Sequence, residues 1–169
     1  MARGLASVSI PAVAREAGVS VPTVYRHFGT KRDLLAALRP YLYRRAGFDQ
    51  LVAPRSVDEM RDVVREIFER FESLDDFARA ALASPAAEEV RHLHMPDRFQ
   101  EIRDLADAIV PELPQVERDR IARLLLILTS TSALRVWRDH LGRSVDDAAD
   151  DVDWLLRSAI AAASSANER

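Results

Sequence analysis

IPAVAREAGVSVPTVYRHFGTKRDLL, residues 10–35, is the stretch whose reading decides the fold. Ser9, just ahead of it, can cap a short helix running to about Ala17, because a serine hydroxyl accepts from an amide that the first helical turn leaves unpaired. Pro11 is tolerated in that first turn, where the N–H it lacks has no helical partner anyway. Gly18 ends the helix. Ser20 can cap a second helix through Phe28, Gly29 closes it, and Thr30 with Asp33 forms a capping box for a third. Three helix starts this close together are the spacing of a helix-turn-helix. Two helices that cross closely need a small residue on the first, a residue able to take the turn, and apolar residues that lock the pair. Ala14, Gly18 and Val24 stand where those demands fall, with Val13, Ala17 and Val19 as further apolar contacts. Val21, Pro22, Thr23, Arg26 and His27 are left for the outward face of the second helix, a face shaped to enter a major groove.

Outward from this stretch the helical signals continue and strand signals are scarce. No run of alternating β-branched residues persists, and no Asn-Gly or Asp-Gly hairpin turn occurs. Prolines at 54, 85, 96, 111 and 114 mark breaks, since a helix there loses an amide and meets the preceding turn. The pattern predicts helices near 31–46, 57–72, 75–83, 86–94, 97–109, 116–140 and 145–165. In the last, Val145, Ala148, Ala149, Val152, Leu155, Leu156, Ala159, Ile160 and Ala163 make one apolar stripe. Ser144 and Asp147 supply its capping box. The segment from Ile121 to Leu134 is apolar or small on nearly every side, which predicts cover on both sides. Either it is the central helix of a monomer, or part of it faces a second copy. On the second reading Leu124, Leu128, Val136, Leu155, Leu156 and Ile160 contribute to a four-helix interface of a homodimer.

Charge separates the two ends of the chain. The first 45 residues hold eight basic side chains against Glu16 and Asp33, whereas the net charge of the whole is −3, so the remainder carries an excess of nine negative charges. A basic head on an acidic body is the asymmetry of a protein that meets phosphates at one end. With no cysteine, neither a disulfide framework nor a thiolate metal site is available. The longest apolar run, Leu124 to Leu128, is far short of the ~18 residues of a membrane span. A soluble, cytoplasmic protein without membrane association is expected.

The run AGVSVPTVYRHFGTKRDLL, residues 17–35, resembles the DNA-binding segment of the TetR family of repressors. The ordered set Ala17-Gly18-Val19-Ser20, Thr23, Tyr25, His27-Phe28 and Lys31 carries the resemblance. It implies an all-α fold, with a helix-turn-helix domain at 1–46 and a helical ligand-binding and dimerisation domain at 47–169. It further implies a homodimer on a palindromic double-stranded operator, released by a small-molecule effector that shifts the helix starting at Lys31. Tyr25 and Lys31 are then phosphate contacts, Thr23 a phosphate or base-edge contact, and Phe28 an anchor beneath the second helix. Ser20, Val21, Pro22, Arg26 and His27 complete the DNA-facing set. Arg26 suits a guanine edge or a phosphate, and Val21 and Pro22 suit a thymine methyl or ordinary first-turn packing. Family members usually begin with a full helix ahead of the position of Gly4. Only Met1, Ala2 and Arg3 precede Gly4 here, so either the true start lies upstream or the DNA-binding domain is depleted, and in the second case the alternative is a ligand-binding and dimerisation module with weakened or lost DNA binding.

For the effector, Phe68, Phe71, Phe77, Met95, Phe99, Ile102 and Leu105 are candidate pocket residues, although plain core packing suits any one of them better. Trp137 and Trp154 read as packing residues near the subunit contact. His92 and His94 point to different sides of a helix, so no metal is expected, and no cofactor is implied. An enzyme is the weaker alternative: there is no phosphate-binding glycine loop, paired metal motif or nucleophile elbow. Ser130, Thr131 and Ser132 fall in a helix, where hydroxyls bond their own backbone.

Overall fold

A computed structural model describes residues 9–74 and 84–167, and the helix expected at 75–83, with Phe77, lies outside the described residues. Every regular element among the described residues is helical. In chain order these are α1 (Ile10–Glu16), α2 (Val21–His27), α3 (Lys31–Arg45), α4 (Met60–Glu72), α5 (Pro85–Ile109), α6 (Gln115–Leu128), α7 (Thr131–Arg135) and α8 (Val145–Asn167). Short 3-10 turns occupy Phe48–Gln50 and Val57–Glu59, and a π-helical turn occupies Val136–His140. No described helix is long and apolar enough to cross a membrane.

The chain divides into two compact units, one of 9–46 with 74 and 84–95, the other of 47–73 with 96–167. The first therefore contains the start of α5 as well as the three N-terminal helices. Its core is small: Ile10, Ala14, Val24 and Leu34 are buried together, with Val13, Val21 and Phe28 packed against them. The second unit holds the larger core. Met60, Val64 and Phe68 of α4 meet Ala106 and Ile109 of α5, Ile121, Ala122 and Leu125 of α6, and Ala148, Ala149, Val152 and Leu156 of α8. Two consecutive alanines on α8 let α4 approach closely, and ion pairs flank that contact, Arg61 to Asp150 at 2.5 Å and Arg157 to Asp58 at 2.8 Å.

Two helix boundaries differ from expectation. Pro96 lies inside α5 instead of separating two helices. A proline costs a helix one hydrogen bond and a local kink, and Pro96 is exposed, where water can satisfy the freed carbonyl. Conversely, the helix expected at 116–140 is divided at Thr129 and Ser130. The Thr129 hydroxyl donates to the Leu125 carbonyl at 2.8 Å, while Ser130 takes extended dihedrals and its hydroxyl accepts from the Ala133 amide at 3.1 Å. Side-chain bonding to the backbone competes with helix continuation, and here it ends α6 and starts α7.

Candidate nucleic-acid interface

Each start in the N-terminal unit is built by the residue whose chemistry requires it. Ser9 accepts from the Ala12 amide at 3.3 Å, and Ser20 from the Thr23 amide at 3.2 Å. Between α1 and α2 the backbone turns through Gly18 at φ +67°, a left-handed conformation that costs a side-chain-bearing residue about 1–2 kcal/mol. The capping box of α3 closes reciprocally: the Thr30 amide donates to Asp33 Oδ2 at 2.9 Å, and the Asp33 amide donates to Thr30 Oγ1 at 3.2 Å.

This frame sets the face of α2. Val24 is buried against Ile10, Ala14 and Leu34, while Pro22, Tyr25, Arg26 and His27 are exposed, Tyr25 by 49%. Arg26 has no ion pair among the described residues, so its guanidinium is available to a base edge or a phosphate. Ser20 and Thr23 are occupied by helix capping, and their hydroxyls share a hydrogen bond of 2.8 Å. Val21 is half-buried and packs on the small core, which makes it a locking residue and not part of the outward face. Ala17 and Val19, expected as apolar locks, are both exposed, Val19 by 42%. Ile10 fills the place they were assigned. It lies one turn ahead of Ala14 on the same face of α1, and that spacing was the signal that could have found it.

Lys31 begins α3, half-buried, and its ammonium lies 2.6 Å from Glu89 Oε2 of α5. Nothing local in the sequence points to that partner, because the two are brought together by packing within the unit. Lys31, Arg32, Leu35, Glu89 and His92 line an open groove of about 790 Å³, walled also by Glu88 and Leu93. Glu88 accepts from Arg91 Nε at 2.9 Å. No group of three or more His, Asp or Glu residues is arranged for a metal among the described residues.

The remaining expected site residues lie in other places. Met95 is 40% exposed in the first unit. Phe68 is wholly buried in the second unit's core, with Phe71, Phe99, Ile102 and Leu105 half-buried against it, and none of them lines the groove. Leu124 and Leu155 are half-buried, and Leu128 and Ile160 pack on the same core. Leu156, expected at a subunit contact, is 1% exposed and belongs to the chain's own core, because the inward stripe of α8 passes through it. Val136 is 48% exposed. Trp137 packs on Phe68 with ring centroids 5.9 Å apart and donates from Nε1 to Asp151 at 3.2 Å, whereas Trp154 is 70% exposed.

Residues 1–38 match the family model of the bacterial regulatory proteins, tetR family. No curated protein and no solved structure matches the chain.

Proposed function

We propose that this TetR-type DNA-binding transcriptional regulator is a repressor that binds a palindromic operator as a homodimer and leaves it when a small-molecule effector binds. The observation that carries the reading is the two-sided character of α2: Val24 and Val21 are locked inward, while Pro22, Tyr25, Arg26 and His27 stand outward. A helix so presented lies in a major groove, with Arg26 of its last turn as base reader and Tyr25 and Lys31 on phosphates. The basic excess of the first 45 residues supplies the attraction to the backbone, which is independent of sequence. Dimerisation is supported by the exposed apolar residues of the C-terminal helices, and a dimer spaces its two heads by one turn of DNA, about 34–36 Å. The effector belongs among the half-buried aromatic and aliphatic side chains of the second unit, Phe71, Phe99, Ile102 and Leu105. It acts by binding one of two head spacings better than the other, and the coupling is reciprocal. The protein works by binding, not by chemistry, in the cytoplasm.

Selection from a random DNA pool tests this directly. The expected product is an inverted repeat with half-sites one turn apart, also found in the chain's own upstream region. Recovery of sequences without enrichment, at the affinity of bulk DNA, would refute the reading.

A further inference from the structure

We propose that Glu89 is a positioning residue for DNA binding that acts through Lys31, holding its ammonium in the free protein so that a backbone phosphate has to displace it. The inference rests on the reading of Lys31 as a phosphate contact. Lys31 Nζ stands 2.6 Å from Glu89 Oε2, with the two side chains 40% and 34% exposed. The other nearby carboxylates are engaged: Glu88 accepts from Arg91, and Asp33 accepts from the amide and hydroxyl of Thr30. Glu89 is thus the carboxylate that Lys31 meets among the described residues.

The exposure of the pair makes it a competitor and not a fixed strut. An ammonium is a compact charge with three donors on a flexible stem, and it exchanges one anion for another without rebuilding its surroundings. At this exposure an ion pair holds its partner only weakly, so a phosphate can take Lys31 at a cost of a few-fold in affinity. Glu89 also places a negative charge beside the approaching phosphate, which acts in the same direction. Sequence-independent affinity is therefore set below what the basic face of α2 and α3 would give alone. The cost falls equally on operator and bulk DNA, so the pair sets absolute affinity and salt response and leaves their ratio unchanged.

The test is a double-mutant cycle on the full chain with a fluorescent random-sequence duplex of about 30 base pairs, at about 0.05 to 0.2 M salt. Glu89→Gln is expected to tighten binding about two- to fivefold per DNA-binding unit, most at low salt. Glu88→Gln is expected to change it less. Most of the gain should be lost in a Lys31→Ala background, where only the direct repulsion by Glu89 remains to be relieved. Weaker binding by Glu89→Gln would show a structural strut, and an equal gain with Lys31→Ala would show general repulsion; either overturns the proposal. If Lys31→Ala weakens binding while Glu89→Gln changes nothing, this inference fails and the phosphate reading stands. If Lys31→Ala binds as wild type, both fail. Circular dichroism melts accompany each variant, and Glu89→Ala replaces Glu89→Gln should the latter unfold early.

Discussion

Gly18 and Tyr25 show how much one residue decides in a unit with so small a core. At Gly18 an added Cβ would meet no atom within 4 Å, so the penalty for replacing it is conformational and not steric. Gly18→Ala should therefore lower stability by about 1–2 kcal/mol without blocking the fold, and Gly18→Asn should cost less, because asparagine takes left-handed dihedrals more readily. Urea unfolding of the two variants checks the order, and equal losses would contradict it. Tyr25→Phe removes a half-exposed hydroxyl and leaves the ring, so folding should be unchanged. DNA affinity should fall by roughly 0.5–1.5 kcal/mol across all sequences, the worth of one neutral hydrogen bond to phosphate. Lys31→Ala differs in kind: besides weakening binding it should reduce the slope of log K against log salt by about one per unit, because it removes one cation that displaces counterions. Anisotropy titrations over a salt series separate the two. A Tyr25→Phe variant that changed sequence preference would assign the phenol to a base instead.

At the scale of elements, capping chemistry explains where helices start and also what the sequence left hidden. Ser144 and Asp147 close the box at the start of α8: the Ser144 amide donates to Asp147 Oδ2 at 3.1 Å, and the Asp147 amide donates to Ser144 Oγ at 3.1 Å. The Ser144 amide and hydroxyl hold the Asp147 carboxyl below the ordinary carboxylate range. A group depressed on folding stabilises the native state above its unfolded pKa and loses that contribution as pH falls through the folded value. Asp147→Asn should therefore be less stable than wild type near neutrality, with the difference shrinking below about pH 4, as melts from neutral to acid pH would show. A constant difference across that range would mean the carboxylate charge is not what the cap uses. The caps at Ser9, Ser20, Thr30 and Ser144 were all legible, since each needs only a residue and the amide two or three places on. The division at Thr129 and Ser130 was not, because hydroxyls inside an apolar run read equally as helix and as cap until burial decides. Pro96 failed in the opposite sense, a breaker overruled by its exposed position in a long helix. Pro22, Arg26 and His27 on the outward face of α2 were legible from helical period, while Val21 was misplaced by it and Tyr25 came from the resemblance; the Lys31–Glu89 pair depends on contact between distant segments, which no local pattern encodes.

For the whole molecule, the deciding question is what covers the apolar side chains that the chain leaves exposed. Ile127 is 63% exposed, Leu141 59% and Trp154 70%, with Val136 at 48%, all on or between the three C-terminal helices. Single exposed apolar residues are ordinary on a monomer, but a tryptophan and three aliphatics on neighbouring segments suit a contact between copies. The outward side of α8 beyond Trp154 carries Ser158, Ala161, Ala162 and Ser165, all exposed and small enough to admit a partner helix. Leu156, on the opposite side, is fixed in the core and cannot contribute. If the proposed homodimer uses this surface, Trp154→Glu should shift it toward monomer, because an exposed aromatic that association would bury is replaced by a charge. Sedimentation over a concentration series reads the shift, expected as an increase of at least about tenfold in the dimer dissociation constant, or about 1.4 kcal/mol. Leu156→Ala should instead cost about 2–5 kcal/mol of stability with less effect on association of the molecules still folded. Since a palindrome needs two linked heads, Trp154→Glu should also weaken operator binding far more than it weakens binding to a random duplex. A variant that stayed dimeric would place the interface elsewhere on the surface.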